Sequence, residues 1–282
     1  MRRRLLGGLA AVTLATRSLP AVAGPCGPPA PGEGPGSQPA SYAFATELGS
    51  GVYDFCGRQL QIYRLPFSRT LDTHDADTPP LRLTLPVTVG FLDFSPHDVL
   101  ASGLPSRIDS LSFVPGLELE FEMQPGWSLS PYARFGGSFA SESLDAWLYA
   151  AGVHSELAWQ RGSWRNRFSS DLGYAGASFR SELRSDHFAR LRTGIELRRG
   201  SGWRRGAQEV DIGPYARLDL FADAPRAPVG QVAASRAQLE LGVSVGTRPG
   251  LRVHGLPLPR LGIGYRIAGE VSSWRLVIGT PL

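Results

Sequence analysis

The stretch Leu117-Glu118-Leu119-Glu120-Phe121-Glu122-Met123 alternates three carboxylates with four apolar side chains. Successive side chains of a β-strand point to opposite faces, so the three glutamates share one face and the apolar set takes the other. A helix does not segregate them in that way. The stretch is therefore read as a strand with one charged face and one apolar face.

The same alternation fills most of the chain. Leu81, Leu83, Leu85, Val87, Val89 and Phe91 alternate with Arg82, Thr84, Pro86, Thr88 and Gly90. Leu191, Ile195 and Leu197 oppose Arg190, Arg192, Glu196 and Arg198, and Leu218 and Leu220 oppose Arg217 and Asp219. Leu239, Leu241, Val243 and Val245 oppose Gln238, Glu240 and Ser244. Many of these runs are longer than an ordinary soluble strand and suit a tilted membrane crossing. Aromatic residues such as Trp127, Phe139, Trp159, Trp164, Phe221 and Trp274 fall near run ends, where a membrane interface favours them.

Connections alternate in length. Gln124-Pro125-Gly126 and Gln160-Arg161-Gly162-Ser163 are tight, whereas 93–110, the region near 180–187 and 222–236 are long. That is the asymmetry of a barrel with short periplasmic turns and long external loops. On this scheme 199–209 and 247–258 are periplasmic connections of unusual length, with the turn residues Gly200, Gly202, Pro249, Gly250 and Pro257. Ten strands follow from Leu81 onward. Gly51–Phe67 supplies another, and Tyr42, Phe44, Thr46 and Leu48 a further short one. The expected fold is all-β, a transmembrane antiparallel β-barrel of about 12 strands, with 10 as the alternative.

The N-terminal segment places such a barrel outside the cytoplasm. Arg2, Arg3 and Arg4 precede a short apolar run from Leu5 to Thr16, and Ala21-Val22-Ala23 precedes Gly24. This is the layout of a cleaved secretory signal over 1–23, cut between Ala23 and Gly24. Residues 24–41 are rich in Pro, Gly and Ser and read as a linker, which leaves 42–282 for the barrel. Cys26 and Cys56, the only two cysteines, are expected to form a disulfide after export.

The formal net charge is +4, and Arg2, Arg3, Arg4 and Arg17 carry that excess, so nothing supports a nucleic-acid partner. All basic side chains are Arg, which is suited to paired carboxylates in confined sites. The row Glu118, Glu120 and Glu122 needs counter-ions on the inward face. Alternation offers Arg82, Arg134, Arg190, Arg192, Arg198 and Arg217, and with Glu196 they form an expected luminal charge network. The network either fills the lumen and stiffens the barrel or lines a narrow, porin-like pore.

With a signal peptide, a short linker, about twelve strands and a last strand alternating as Trp274-x-Leu276-x-Ile278-x-Thr280-x-Leu282, the chain resembles the translocator barrel of autotransporters in a solitary form without a passenger. The resemblance implies residence in a Gram-negative outer membrane, contact with outer-membrane lipids, and insertion by the barrel-assembly machinery through that last strand. The expected role is non-enzymatic: scaffold, narrow pore or surface-exposed module. A lipid hydrolase on the same barrel is the alternative, suggested by His154-Ser155. Neighbours in a strand face opposite ways, however, so that pair does not make a base and a nucleophile on one face. Asp72–Asp77 lacks the glycine and distal glutamate of a calcium loop and reads as a polar turn. No cofactor and no metal site is expected.

Overall fold

A computed structural model describes residues 50–55, 58–71, 79–92, 110–140, 143–180, 185–206, 208–222, 236–250, 252–253, 256–257, 259–268 and 271–282. The expected signal peptide and its cleavage point, the linker, both cysteines, the short strand Tyr42–Leu48 and the polar turn Asp72–Asp77 lie outside the described residues.

The chain first forms β1 (Gly51–Phe55), β2 (Arg58–Leu71) and β3 (Leu81–Leu92). The run Leu111–Met123 folds as β4 (Ser110–Phe113), β5 (Gly116–Leu119) and β6 (Phe121–Gln124), three consecutive segments of one barrel strand. The first gap falls at Val114-Pro115, because proline has no N–H to give to a ladder. Backbone bonds nevertheless cross the gaps, from Phe135 N to Pro115 O at 2.9 Å and from Glu120 N to Pro80 O at 3.2 Å. There follow β7 (Trp127–Ala140), β8 (Ser143–Arg161), β9 (Trp164–Phe179), β10 (Ser185–Arg205), β11 (Gln208–Ala222) and β12 (Ala237–Arg248). A two-residue hairpin pair, β13 (Arg252–Val253) and β14 (Leu256–Pro257), precedes β15 (Leu261–Ala268) and β16 (Val271–Ile278).

Each strand of the barrel pairs antiparallel with its neighbours, and the order closes on itself. β2 pairs with β3 along its length, β1 with β2, and β1 with β16 through Val52↔Trp274 and Tyr53↔Ser273. Counting β4, β5 and β6 as one position, β1 to β3, β7 to β12, β15 and β16 complete a ring of twelve. The ten strands from Leu81 onward are as expected. The strand expected over Gly51–Phe67 differs: it is not one strand but belongs to the hairpin β1–β2.

The connections also fall more cleanly than expected. Region 199–209 is not a long connection: β10 runs to Arg205, β11 starts at Gln208, and a register shift between Gly200 and Arg204 absorbs the glycines that read as a turn. The turns at Gly126, Gly162 and Gly206 are all tight, each with a glycine at positive φ, and all lie at one end of the ring.

Side-chain placement is the inverse of a water-soluble protein. On β12, Leu241 is 52% exposed and its neighbour Glu240 only 1%. Leu239, Val243 and Val245 share the outward face with Leu241, whereas Gln238 and Ser244 are buried inside with Glu240. β15 repeats this, with Ile263, Tyr265 and Ile267 outward and Arg266 buried. An apolar band wrapped around a polar interior is stable where lipid replaces water on the outside. The fold is thus a transmembrane antiparallel β-barrel of twelve strands.

Leu241→Arg places a guanidinium on the lipid face and should destabilise the barrel by about 2–4 kcal/mol. Equilibrium unfolding of protein folded into phospholipid vesicles measures this. A midpoint equal to that of the unaltered chain would put Leu241 in water instead.

Candidate functional site: the charged lumen

The polar positions of the alternation converge inside the ring. Toward the end holding the 181–184 connection, the inner wall is apolar, with Ala146, Leu148, Ala175, Ala177, Phe179, Phe188 and Phe221 buried. Below this layer the wall becomes ionic, and four groups of charges follow one another around it.

The central group joins β10, β11, β12, β15 and β16. Asp219 accepts from Arg192 Nε at 2.7 Å and from Arg217 Nη2 at 2.9 Å. Glu240 accepts from Arg266 Nη2 at 2.9 Å, from Arg275 Nη1 at 2.8 Å and from the Tyr215 hydroxyl at 2.8 Å. Arg217 also stands 3.4 Å from Glu240, so it bridges the two acids. Arg217, Asp219 and Glu240 are all but fully buried. Four arginines thus share two carboxylates.

A second group sits nearer the tight-turn end. Glu196 is paired with Arg198, and Asp211 with Arg260. Arg165 Nη2 donates to Asp211 at 2.5 Å, and Ser244 Oγ donates to Glu196 at 2.6 Å. Elsewhere Arg190 donates to Asp171 at 2.7 Å, and Arg167 pairs with Glu156 at 2.8 Å.

Two tyrosines brace this arrangement in the same way on different walls. Tyr215 pairs across to Gly242, which pairs to Gly264. A Cβ at either glycine would collide with the Tyr215 ring or hydroxyl. Tyr132 lies likewise over Gly152 and Gly173, and its hydroxyl reaches Asp171 at 3.4 Å. In each case the ring lies over bare backbone on the next two strands and its hydroxyl ends on a buried carboxylate.

Of the expected network, Arg190, Arg192, Glu196, Arg198 and Arg217 lie in these groups. The glutamate row does not meet them. Glu118 and Glu120 pair with Arg82, at 3.3 Å and 2.7 Å. Glu122 is exposed beside the turn at Gly126. Arg134 lies over the Tyr132 ring, 4.4 Å from its centre. Beside the expected Glu196, the principal acids are Asp171, Asp211, Asp219 and Glu240, and Arg165, Arg260, Arg266 and Arg275 join them. Their signal in the sequence was the same alternation, with each acid on the inward parity of its own strand.

The last strand also needs correction. β16 ends at Ile278, with Trp274 and Leu276 exposed on the outer face. Thr280 and Leu282 do not continue it, because Gly279, at φ 104°, turns the chain.

His154 and Ser155 face opposite ways: His154 stands 3.9 Å from the inward Glu156, and Ser155 Oγ accepts from Trp127 Nε1 at 3.0 Å. A different serine, Ser130, is in register with His154, and His154 with Asp171, all on the inner wall. Among the described residues no hydrogen bond links these three, and Asp171 is engaged by Arg190 and Tyr132. No group of three or more metal-binding side chains occurs among the described residues.

No family model and no curated protein matches the chain. Among solved structures it is similar to the β domain of the Bordetella autotransporter BrkA, with 12% identity over 80% of this chain and 94% of that one, at a TM-score of 0.48.

Glu240→Gln removes the charge shared by Arg217, Arg266 and Arg275, and breaking such a buried set should cost about 3–5 kcal/mol. Glu122→Gln, at an exposed site, should leave the unfolding midpoint unchanged. Denaturant titration of the two variants in the same detergent separates them; equal effects would refute a central role for Glu240.

Proposed function

We propose that the chain is a non-enzymatic, autotransporter-like outer-membrane β-barrel whose arginine–carboxylate interior makes it a scaffold carrying a surface-exposed module, with at most a narrow pore. The observation that carries this reading is the contrast between buried Glu240 and exposed Leu241, repeated strand after strand. The outer band suits outer-membrane lipids. The tight-turn end suits the periplasm, and the long connections suit the cell exterior.

The interior supports a scaffold over a wide pore. Ion pairs, two tyrosine braces and the apolar layer occupy the space that a twelve-stranded ring encloses. A cleft between Arg64, Thr88, Arg134 and Leu148 leaves room for about one water molecule. Trp274, Leu276 and Ile278 offer the barrel-assembly machinery an alternating last strand, although an aromatic residue does not end it.

A hydrolase finds little support. The in-register row Ser130, His154 and Asp171 has an arginine on its acid, which lowers the capacity of that acid to orient a histidine.

Membrane fractionation should recover the protein with outer-membrane markers, and unheated samples should migrate differently from boiled ones on a denaturing gel. Recovery in the soluble periplasmic fraction without a heat shift would refute the proposal. Refolded protein should release no fatty acid from phospholipid or lipid A; release abolished by His154→Ala or Ser130→Ala would establish the hydrolase instead.

A further inference from the structure

The residues after β16 do not run along the barrel wall. Gly279 adopts φ 104°, a conformation that side chains disfavour, and its N–H donates to Arg260 O at 2.8 Å. That bond keeps Gly279 in register with β15, and the chain bends there. Pro281 is among the most completely buried residues of the protein, and the Thr280 hydroxyl donates to Leu282 O at 3.3 Å.

The destination of Leu282 is specific. A Cβ on Gly194 would collide with Leu282 Cδ2. Gly194 is on the inner wall of β10, between inward Arg192 and Glu196 and in register with Arg217. In ring order β10 lies four strands from β16, by way of β15, β12 and β11. The segment therefore leaves the wall at the tight-turn end, crosses part of the lumen and seats a leucine in a notch where a side chain is missing. The burial of Pro281 and the contact at Gly194 are independent observations of the same inward course.

We propose that Gly279–Leu282 is a luminal strap, with Gly194 as its receptor, that closes the tight-turn mouth of the barrel and must leave before any solute passes. The proposal rests on the membrane-barrel reading above. The Gly279 turn directs the strap inward, the bond to Arg260 fixes its root, and the Gly194 notch holds its tip. A side chain at Gly194 would compete directly with Leu282 for that space.

Carboxypeptidase digestion of the 282-residue chain, folded in detergent and confirmed by its heat shift, tests the seating. Release of Leu282 should be at least about tenfold slower than from the heat-unfolded chain, since a protected end is cut only when it opens. Gly194→Leu, still heat-modifiable, should lose that protection. If that variant does not fold, a chain shortened by residues 279–282 provides the second measurement. In planar bilayers it should conduct ions severalfold better than the full chain. Equal digestion of folded and unfolded chains would overturn the strap, and equal conductance would overturn its closing role. An absent heat shift in the unaltered protein would instead overturn the barrel reading itself.

Discussion

Asp219 and Glu240 set the terms for the rest of the molecule. Between them they receive Arg192, Arg217, Arg266 and Arg275, with Tyr215 completing the shell of Glu240. A guanidinium held away from water is costly unless it is paired and hydrogen-bonded. Sharing each acid among several arginines ties strands β10, β11, β12, β15 and β16 into one electrostatic unit. Such a unit forms only when all five strands are in register, so it rewards the complete wall and not any single hairpin.

The outer face follows from the inner one. Because side chains alternate strictly, fixing Glu240 and Ser244 inward sends Leu239, Leu241, Val243 and Val245 outward. A slip by one residue would turn four apolar side chains into the ionic core and Glu240 into lipid, so register is strongly specified. The ring must also close, since an open edge in lipid would leave backbone groups without partners. Beyond the apolar band the strands continue. β10 has 21 residues and β8 19, against roughly 9–11 needed to cross a bilayer. The surplus at the tight-turn end carries Trp159, Trp164 and Trp203, and Arg199 lies 5.5 Å over the Trp164 ring. These are side chains suited to the headgroup region.

What the sequence made legible was whatever depends on one strand at a time. The alternation of Leu239 to Val245 needs no partner to be recognised, and neither does the tight turn at Gly126. Features that depend on register were hidden. Glu118, Glu120 and Glu122 stood out because they are close together in the chain, yet the ionic centre is assembled from Asp219, Glu240 and arginines on other strands. The Tyr215 brace is invisible for the same reason: Gly242 and Gly264 become its bed only once three strands are aligned. At Gly200 and Gly202 the composition of a turn misled, because a glycine also serves a strand irregularity, and β10 passes through it. At the N-terminal end, the connection at Cys56-Gly57 was too short to divide the run Gly51–Phe67 into the two strands it contains.

A filled interior changes where function can reside. In an aqueous pore the inward side chains would be held apart by water and would select what moves between them. Here Arg217 and Glu240 are in direct contact, Tyr132 and Tyr215 lie against backbone, and Leu282 reaches the wall at Gly194. Each of these contacts removes volume from the lumen and adds stiffness to the ring. On the scaffold reading proposed above, these contacts make the barrel a stiff support whose lumen is filled by its own side chains. The antiparallel order places the long connections between β3 and β4 and between β11 and β12 at the same end. On that same proposal, the charged core is what holds the support still beneath the connections gathered at one end.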